Sequence, residues 1–300
     1  MPKNGYQHVF LLEADATLNP EERHHNKVRI REFRTLDGEK FEDLGIALMP
    51  SESEEDWDSL SLWTGSALSW QGADYLFYTG RRRREFWHQR IGLAVRSHQG
   101  SFQREPDFLL EPDGEIYCSD PEKNSLGVAP AFRDPFVYFQ GGSWQMVFAA
   151  RDAGKPGPYN ACIGRATSPD LRNWKLQRPL LSPGIYGQME CPQMYLTDRG
   201  YLLVFSLFEG DLAPELGFRK AGLYAWESFE GVAFRPVSPK GLLNEEGNRV
   251  YAQRLIFHRG KLFVSGFANE VRGQFVGGMQ PWMEWDSHPF EGLSPFQKPS

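Results

Sequence analysis

The sequence is poor in cysteine, with only Cys118, Cys162 and Cys191 in 300 residues. An odd number of cysteines spread over a long chain argues against a disulfide scaffold and favours a reducing compartment. The first six residues also lack the charged head and apolar core of a signal peptide. We therefore expect a cytoplasmic protein.

Long apolar runs and excess positive charge are missing as well. No stretch approaches the length of a membrane span, and 39 acidic residues outnumber 33 basic ones, for a net charge of −6. Neither a membrane nor a nucleic acid is therefore expected as a partner. The exception is the run of four arginines at 81–84, which is more typical of a solvated loop than of a phosphate site, although it could rim a pocket.

Helical periodicity is scarce, whereas glycine and proline are frequent, with 30 and 21 residues. A glycine followed by an aromatic-rich apolar strand recurs five times, with spacings of 67, 70, 58 and 60 residues. The five glycines that begin these strands are Gly5, Gly72, Gly142, Gly200 and Gly260. Such a period indicates a repeat architecture.

Each glycine strand is followed by two further predicted strands, and each later copy is also preceded by one. The preceding strands are predicted at 63–70, 132–139, 189–197 and 250–258, and the last outer strand at 289–296. Four-stranded units repeated around an axis predict an all-β fold, a five-bladed β-propeller. We prefer it to a β-sandwich and to a helical solenoid, and we predict a single domain over 1–300.

The first unit departs from the repeat, because only four residues precede Gly5. We therefore predict that the first blade lacks its inner strand. Either the sequence starts too late, or the ring closes without that strand.

The inner strands begin with polar residues that should face a common funnel. Two of them open with an acid that is followed by a proline, directly in Arg133-Asp134-Pro135 and one residue later in Glu190-Cys191-Pro192. Taken singly, the first could be an ion pair at a turn and the second a solvated acid. On equivalent strands of a propeller they form a carboxyl pair, which glycoside cleavage requires. The same repeat brings Trp63, Ser66, Tyr251 and Arg254 to the funnel.

With these motifs the chain resembles the β-fructosidase clan, glycoside hydrolase families 32 and 68, which includes invertases, levanases and levansucrases. The segments that carry the resemblance, in the order of the family, are 63–67 (WTGSA), 132–135 (FRDP), 168–174 (SPDLRNW) and 190–192 (ECP). The resemblance implies that Asp134 stabilises the transition state by binding fructosyl hydroxyls and that Glu190 is the general acid and then the base. It also implies that Arg133, Trp63 and Ser66 contact the sugar, and that neither a metal nor an organic cofactor is needed.

The nucleophile of the family is an aspartate on the inner strand of the first blade, and this sequence begins just beyond that point. Two Trp-Asp-Ser tripeptides occur elsewhere, around Asp58 and Asp286. The repeat puts Asp58 in a connector between blades and Asp286 in an outer turn, which argues against both as nucleophile. The pair His24-His25 has no partner at metal-ligand spacing and does not indicate a metal site.

From the residues and the resemblance together we expect a glycosidase of the β-fructofuranosidase type. It would act with retention on sucrose or small fructans, and a carbohydrate is its expected partner. The sequence could be inactive as it stands, because the nucleophile strand would precede Met1. Alternatives are a fructosyltransferase, a pentosidase like those of family 43 and, from another class, a non-catalytic sugar-binding propeller.

Overall fold

The computed structural model describes residues 1–23, 25–97, 100–119, 131–218, 220–244, 250–268, 270–271, 274–285, 290–297 and 299. Nearly all regular structure in these ranges is β-strand. The exceptions are one helical turn, α1 (Pro20–Arg23), and two 3₁₀ turns, Glu209–Asp211 and Pro214–Leu216. None of the described helices has the length and apolar character needed to cross a membrane.

The strands form five antiparallel blades in chain order, which confirms the predicted five-bladed propeller. Blade 1 contains β1 (Pro2–Lys3), β2 (Tyr6–Glu13), β3 (Arg29–Thr35) and β4 (Phe41–Leu48). Blade 2 contains β5 (Ser61–Trp70), β6 (Ala73–Arg82), β7 (Glu85–Ser97) and β8 (Gln103–Leu110). Blade 3 contains β9 (Phe132–Gln140), β10 (Ser143–Arg151), β11 (Ala161–Ser168) and β12 (Lys175–Leu181).

The last two blades have shorter outer strands. Blade 4 contains β13 (Glu190–Thr197), β14 (Gly200–Leu207) and β15 (Gly222–Ser228), with β16 (Arg235–Pro236) and β17 (Leu243–Asn244) both paired to β15. Blade 5 contains β18 (Val250–His258), β19 (Lys261–Ala268) and β22 (Met283–Glu284), beside the separate hairpin β20 (Glu270–Val271) and β21 (Gln274–Phe275).

The repeated glycines lie in the tight turns between the first and second strands of the blades. All five have a positive φ, between 76° and 128°. In four of these turns the preceding residue has a positive φ too, as for Asn4 at 51° and Gln71 at 47°. Two successive residues with positive φ form the hairpin turn that matches the twist of the strands, and glycine adopts this conformation without steric cost.

Blade 1 has only the two residues of β1 at the position of an inner strand, whereas the inner strands of the other blades have eight to ten. The two residues of β1 pair with Gln7 and Tyr6 of β2, because the Asn4-Gly5 turn folds the start of the chain back. The amino group of Met1 also donates to the carbonyl of His8 at 2.8 Å. This short β1 lies at the turn end of the blade, so it does not reach the funnel.

The predicted outer strand at 289–296 was wrong. Pro289 lies outside the described residues, and the chain that follows crosses to blades 3 and 4, where Ser294 pairs with Leu196. Phe296 stacks on Tyr138 with 4.5 Å between the ring centroids. Burial of aromatic rings beneath the neighbouring blades therefore outweighs the local strand pattern. β22 forms the outer edge of blade 5 instead.

Apolar side chains fill the gaps between neighbouring blades. Four clusters of buried residues lie between blades 1 and 2, 2 and 3, 3 and 4, and 4 and 5. Blades 5 and 1 meet where His258 Nε2 donates to the carbonyl of Leu36 at 2.6 Å, and where Trp282 packs edge to face on Phe41. This side-by-side packing leaves the inner strands around one channel.

Candidate active site

Each long inner strand bulges at its funnel end. The register with the second strand shifts after Trp63 in β5, after Arg133 in β9, after Glu190 in β13 and after Tyr251 in β18. In the last three strands the residue after the shift has a left-handed backbone; these residues are Asp134 (φ 60°), Cys191 (φ 51°) and Ala252 (φ 52°). A bulge of this kind re-aims a side chain away from the regular sheet, and strained backbone of this kind clusters at functional sites.

Asp134 is held from both neighbouring blades. Its Oδ2 accepts the N–H of Cys191 at 3.0 Å, and its own N–H donates to Thr79 Oγ1 at 3.0 Å. The Thr79 hydroxyl donates in turn to the carbonyl of Thr64, in the bulge of β5, at 2.9 Å. The predicted stabilising carboxylate is therefore fixed by a chain of hydrogen bonds that joins three inner strands.

Glu190 has a partner on each carboxylate oxygen. Arg133 Nε donates to Oε1 at 3.1 Å, with a second, shorter bond from Nη2, and the Tyr251 hydroxyl donates to Oε2. The Glu190 side chain is 18% exposed, whereas that of Asp134 is only 4% exposed. Glu190 is thus the carboxyl group of the two that a substrate in the funnel can reach more readily.

Arg133 is anchored by two glutamines that the sequence analysis missed. Its Nη1 donates to Gln89 Oε1 at 3.0 Å and its Nη2 donates to Gln188 Oε1 at 2.9 Å. Gln89 Oε1 also accepts the N–H of Phe132 at 3.2 Å. Gln89 is the first buried residue of β7 and lies at the same end of the sheet as the β5 bulge. Its place in the strand order was the sequence signal that could have identified it as a site residue.

Burial and charge set the protonation of these groups. Burial, reinforced by the charge of Glu190 and opposed by Arg133, raises the pKa of Asp134. For Arg133, burial is outweighed by Glu190 and Asp134, so its pKa rises and it stays a cation. Burial and Glu190 raise the pKa of Tyr251, which keeps its phenol as a hydrogen-bond donor.

The remaining predicted sugar contacts are less closely connected to the two acids. Ser66 Oγ accepts the N–H of Val137 at 3.3 Å and so joins β5 to β9. Arg254 Nη2 donates to the carbonyl of Gly65 at 3.5 Å, across the channel, and its charge lowers the pKa of Asp134. No described contact joins Ser66 to Asp134 or Glu190.

The arginine run at 81–84 divides between the protein interior and the surface. Arg82 and Arg84 form ion pairs with Glu55, both at 2.8 Å. Arg81 is fully buried, with its guanidinium 4.2 Å from the ring centroid of Trp63 and its Nη1 2.9 Å from His25 Nδ1. The expectation of a solvated loop was therefore wrong for Arg81, because β6 continues through it and alternate residues face inward.

Asp58, one of the two Trp-Asp-Ser aspartates, is fully buried inside blade 2. Its Oδ2 accepts the Tyr78 hydroxyl at 2.8 Å and Arg104 Nε at 2.8 Å. The other aspartate, Asp286, lies outside the described residues, and so does His24. Among the residues that are described, no three His, Cys, Asp or Glu side chains form a group that could hold a metal ion.

We predict that Asp58→Asn destabilises the protein without affecting catalysis. The amide can still accept from Tyr78 but leaves Arg104 without its buried counter-charge, so we expect the free energy of unfolding to fall by about 3 kcal/mol while kcat stays within about twofold. Denaturant unfolding and an activity assay measure the two quantities. The exposed Asp56→Asn is the matched control. A large loss of kcat at unchanged stability would instead make Asp58 a catalytic residue.

A family model described as "Glycosyl hydrolases family 32 N-terminal domain" matches residues 3–291. The chain belongs to glycoside hydrolase family 32. This confirms the resemblance to the β-fructosidase clan, whereas the roles of the individual site residues stay predictions.

Relatives of this family 32 chain include an invertase and a sucrose-6-phosphate hydrolase. Raffinose invertase from Escherichia coli is 30% identical over 229 residues, which is 68% of this chain and 44% of the relative. Sucrose-6-phosphate hydrolase from Klebsiella pneumoniae is 29% identical over 170 residues, 53% of this chain and 32% of the relative. The chain thus spans less than half the length of these relatives.

Solved structures of other proteins align with the propeller of this chain over most of its length. Inulosucrase from Halalkalicoccus jeotgali, bound to kestose, aligns with a TM-score of 0.76 at 27% identity, covering 92% of this chain and 74% of that one. Full-length beta-fructofuranosidase from Microbacterium saccharophilum K-1 aligns with a TM-score of 0.72 at 21% identity, covering 94% and 68%. The second likeness supports the fold alone.

Proposed function

We propose that this family 32 protein is a β-fructofuranosidase that hydrolyses the fructosyl bond of sucrose or a small fructan with retention. The observation that carries the proposal is the carboxyl pair on adjacent blades. Asp134 Oδ2 accepts the N–H of Cys191, the residue next to Glu190, and Arg133 lies within reach of both carboxylates, at 3.7 Å from Asp134 Oδ2. Two acids with different exposure and different partners can take different roles.

In this proposal Glu190 protonates the leaving-group oxygen and later activates water. The Tyr251 hydroxyl suits both steps, because a phenol can donate to a carboxylate and accept from a carboxylic acid. Asp134 is nearly enclosed, and it binds hydroxyl groups of the fructosyl ring as charge develops there. Fixed groups of this kind act strongly in a site that excludes water.

Retention also requires a nucleophile, which we propose comes from the inner strand of blade 1. Asp134 lies eight residues before Gly142, and the corresponding residue of blade 1 would lie eight before Gly5, ahead of Met1. In retaining enzymes the nucleophile and the acid are about 5 to 5.5 Å apart. Asp58 cannot meet this requirement without leaving its contacts with Tyr78 and Arg104.

The test measures fructose release from sucrose by residues 1–300 and by a form extended with the codons upstream of Met1, each beside its Glu190→Gln variant. We expect the extended form to hydrolyse sucrose, its Glu190→Gln variant to be impaired, and NMR to detect β-fructofuranose as the first product. Sucrose 6-phosphate is assayed in parallel, because several relatives carry that substrate in their names. Formation of fructans would favour a fructosyltransferase. Cleavage of pentosides without cleavage of fructosides would favour a pentosidase. Sugar binding without turnover in both forms would overturn the proposal in favour of a binding module.

A further inference from the structure

The 3₁₀ turn Glu209–Asp211, which follows β14, contacts the environment of Glu190 through Asp211. Asp211 Oδ2 accepts the N–H of Phe208 at 3.0 Å. The Phe208 ring stacks on Tyr251, with 3.7 Å between centroids and 10° between planes. Tyr251 donates to Glu190 Oε2. The Asp211 carboxylate therefore fixes the backbone of Phe208, and the Phe208 ring supports the Tyr251 phenol that donates to Glu190.

A second path leads from Asp211 to the other oxygen of Glu190. The Asp211 carbonyl accepts the N–H of Gly187 at 2.7 Å. The next residue, Gln188, accepts from Arg133 Nη2 at 2.9 Å, and Arg133 donates to Glu190 Oε1. The turn thus holds both the segment that precedes Glu190 and the ring that supports Tyr251.

The charged groups around Asp211 come from four elements. Glu190 of β13, Arg133 of β9 and Arg151 of β10 interact electrostatically with Asp211, as does Tyr251 of β18. Burial and the charge of Glu190 raise the pKa of Asp211 to about 7, against the smaller opposing effects of the Phe208 N–H and the two arginines. Asp211 therefore changes its charge in the neutral range, where glycoside cleavage needs a protonated acid.

We propose that Asp211 is a positioning residue, which holds Tyr251 and Gln188 against Glu190 and whose charge interacts with that acid. The inference rests on the proposed function of Glu190. Neither the Glu190-Cys191-Pro192 motif nor its strand contains Asp211, which reaches the site through the turn after β14.

Two variants separate position from charge. In Asp211→Asn the amide oxygen can still accept the N–H of Phe208, so we expect kcat in acid to stay within about twofold of the parent while the alkaline limb of kcat/KM moves to lower pH by about half a unit. In Asp211→Ala the Phe208 contact is lost, and kcat should fall about tenfold at every pH with little change in KM. Glu215→Gln, which removes an exposed carboxylate from the next 3₁₀ turn, should behave as the parent.

Two further measurements test the role of Asp211 without an activity assay. Because the folded pKa of Asp211 lies above its ordinary value of 3.8, its contribution to stability is present at low pH and is lost as the pH rises through about 7. Denaturant unfolding should show a smaller decline over that window in Asp211→Asn. The Cζ NMR shift of Tyr251, assigned with Tyr251→Phe, should change near pH 7 in the parent and in Glu215→Gln but not in Asp211→Asn.

The outcomes distinguish the two hypotheses. Absence of hydrolysis both in residues 1–300 and in the form extended upstream of Met1, combined with a Tyr251 shift that depends on Asp211, contradicts the proposed function but supports the positioning role. An active parent whose pH profile, kcat and Tyr251 shift are unaffected by both Asp211 variants overturns the positioning role and leaves the proposed function intact.

Discussion

Replacing Glu190 by glutamine should lower kcat for sucrose by about 10² to 10⁴-fold, the range that a positioned general acid–base supplies. The amide is close in size to the carboxyl group; its oxygen can still accept from Arg133, and its NH2 can donate to the oxygen of Tyr251, whose hydroxyl then turns away. The amide cannot donate the proton that the leaving oxygen needs. KM should change little, because the loss falls on the transition state rather than on substrate binding.

The assay compares initial rates of fructose release across pH, with Glu230→Gln, an exposed carboxylate in a distant turn, as the matched control. The alkaline limb of the profile, which reports loss of the acid's proton, should disappear in Glu190→Gln. Unchanged turnover in this variant would remove Glu190 from the mechanism. A rate restored by a fructoside with a more acidic leaving group would strengthen the assignment, since such a group needs no protonation.

Asp134→Asn should combine a large loss of activity with a gain in stability. Losing the buried negative charge that stabilises the transition state should lower kcat by about 10² to 10³-fold. The pKa of Asp134 is raised, first by burial, so the ionised form is unfavourable in the folded protein. The neutral amide, which can still accept the N–H of Cys191, should raise Tm by roughly 2 to 4 °C.

The stability gain in Asp134→Asn should depend on pH. With a folded pKa above the unfolded one, Asp134 contributes most to stability in acid, and that contribution is lost as the pH rises through the folded value. The parent and Asp134→Asn should therefore differ little in acid and increasingly toward neutral pH, measured by thermal unfolding. A variant that is less stable than the parent at neutral pH would mean that the charge interaction with Arg133 outweighs the cost of burying the carboxylate.

Much of the fold could be predicted because its repeat has a local cause. A hairpin turn with two positive φ angles favours glycine, so Gly5, Gly72 and Gly142 reveal the blades in the sequence itself. The two acids were also found from a local signal, since each lies at the start of an inner strand and is followed within two residues by a proline. What these signals could not reveal was how the side chains are connected.

The connections depend on parts of the chain that are distant in sequence. Tyr251 was predicted as a sugar contact, but its hydroxyl is directed to Glu190 by the stack on Phe208, which comes from a turn in another blade. Arg81 was read as part of a basic run, because the extent of β6 was not apparent from composition. The C-terminal segment was assigned to blade 5, although Phe296 is bound by rings of blades 3 and 4.

The left-handed bulge that recurs in β9, β13 and β18 creates three equivalent backbone positions around the channel. Asp134 and Cys191 occupy two of them, and Ala252 occupies the third with only a methyl group. Because Ala252 has nearly the same φ as Asp134 and Cys191, the three blades share one backbone conformation at this position although their side chains differ. The chemistry of the site therefore depends on which side chains these positions carry, and the shape of the strands is common to all three.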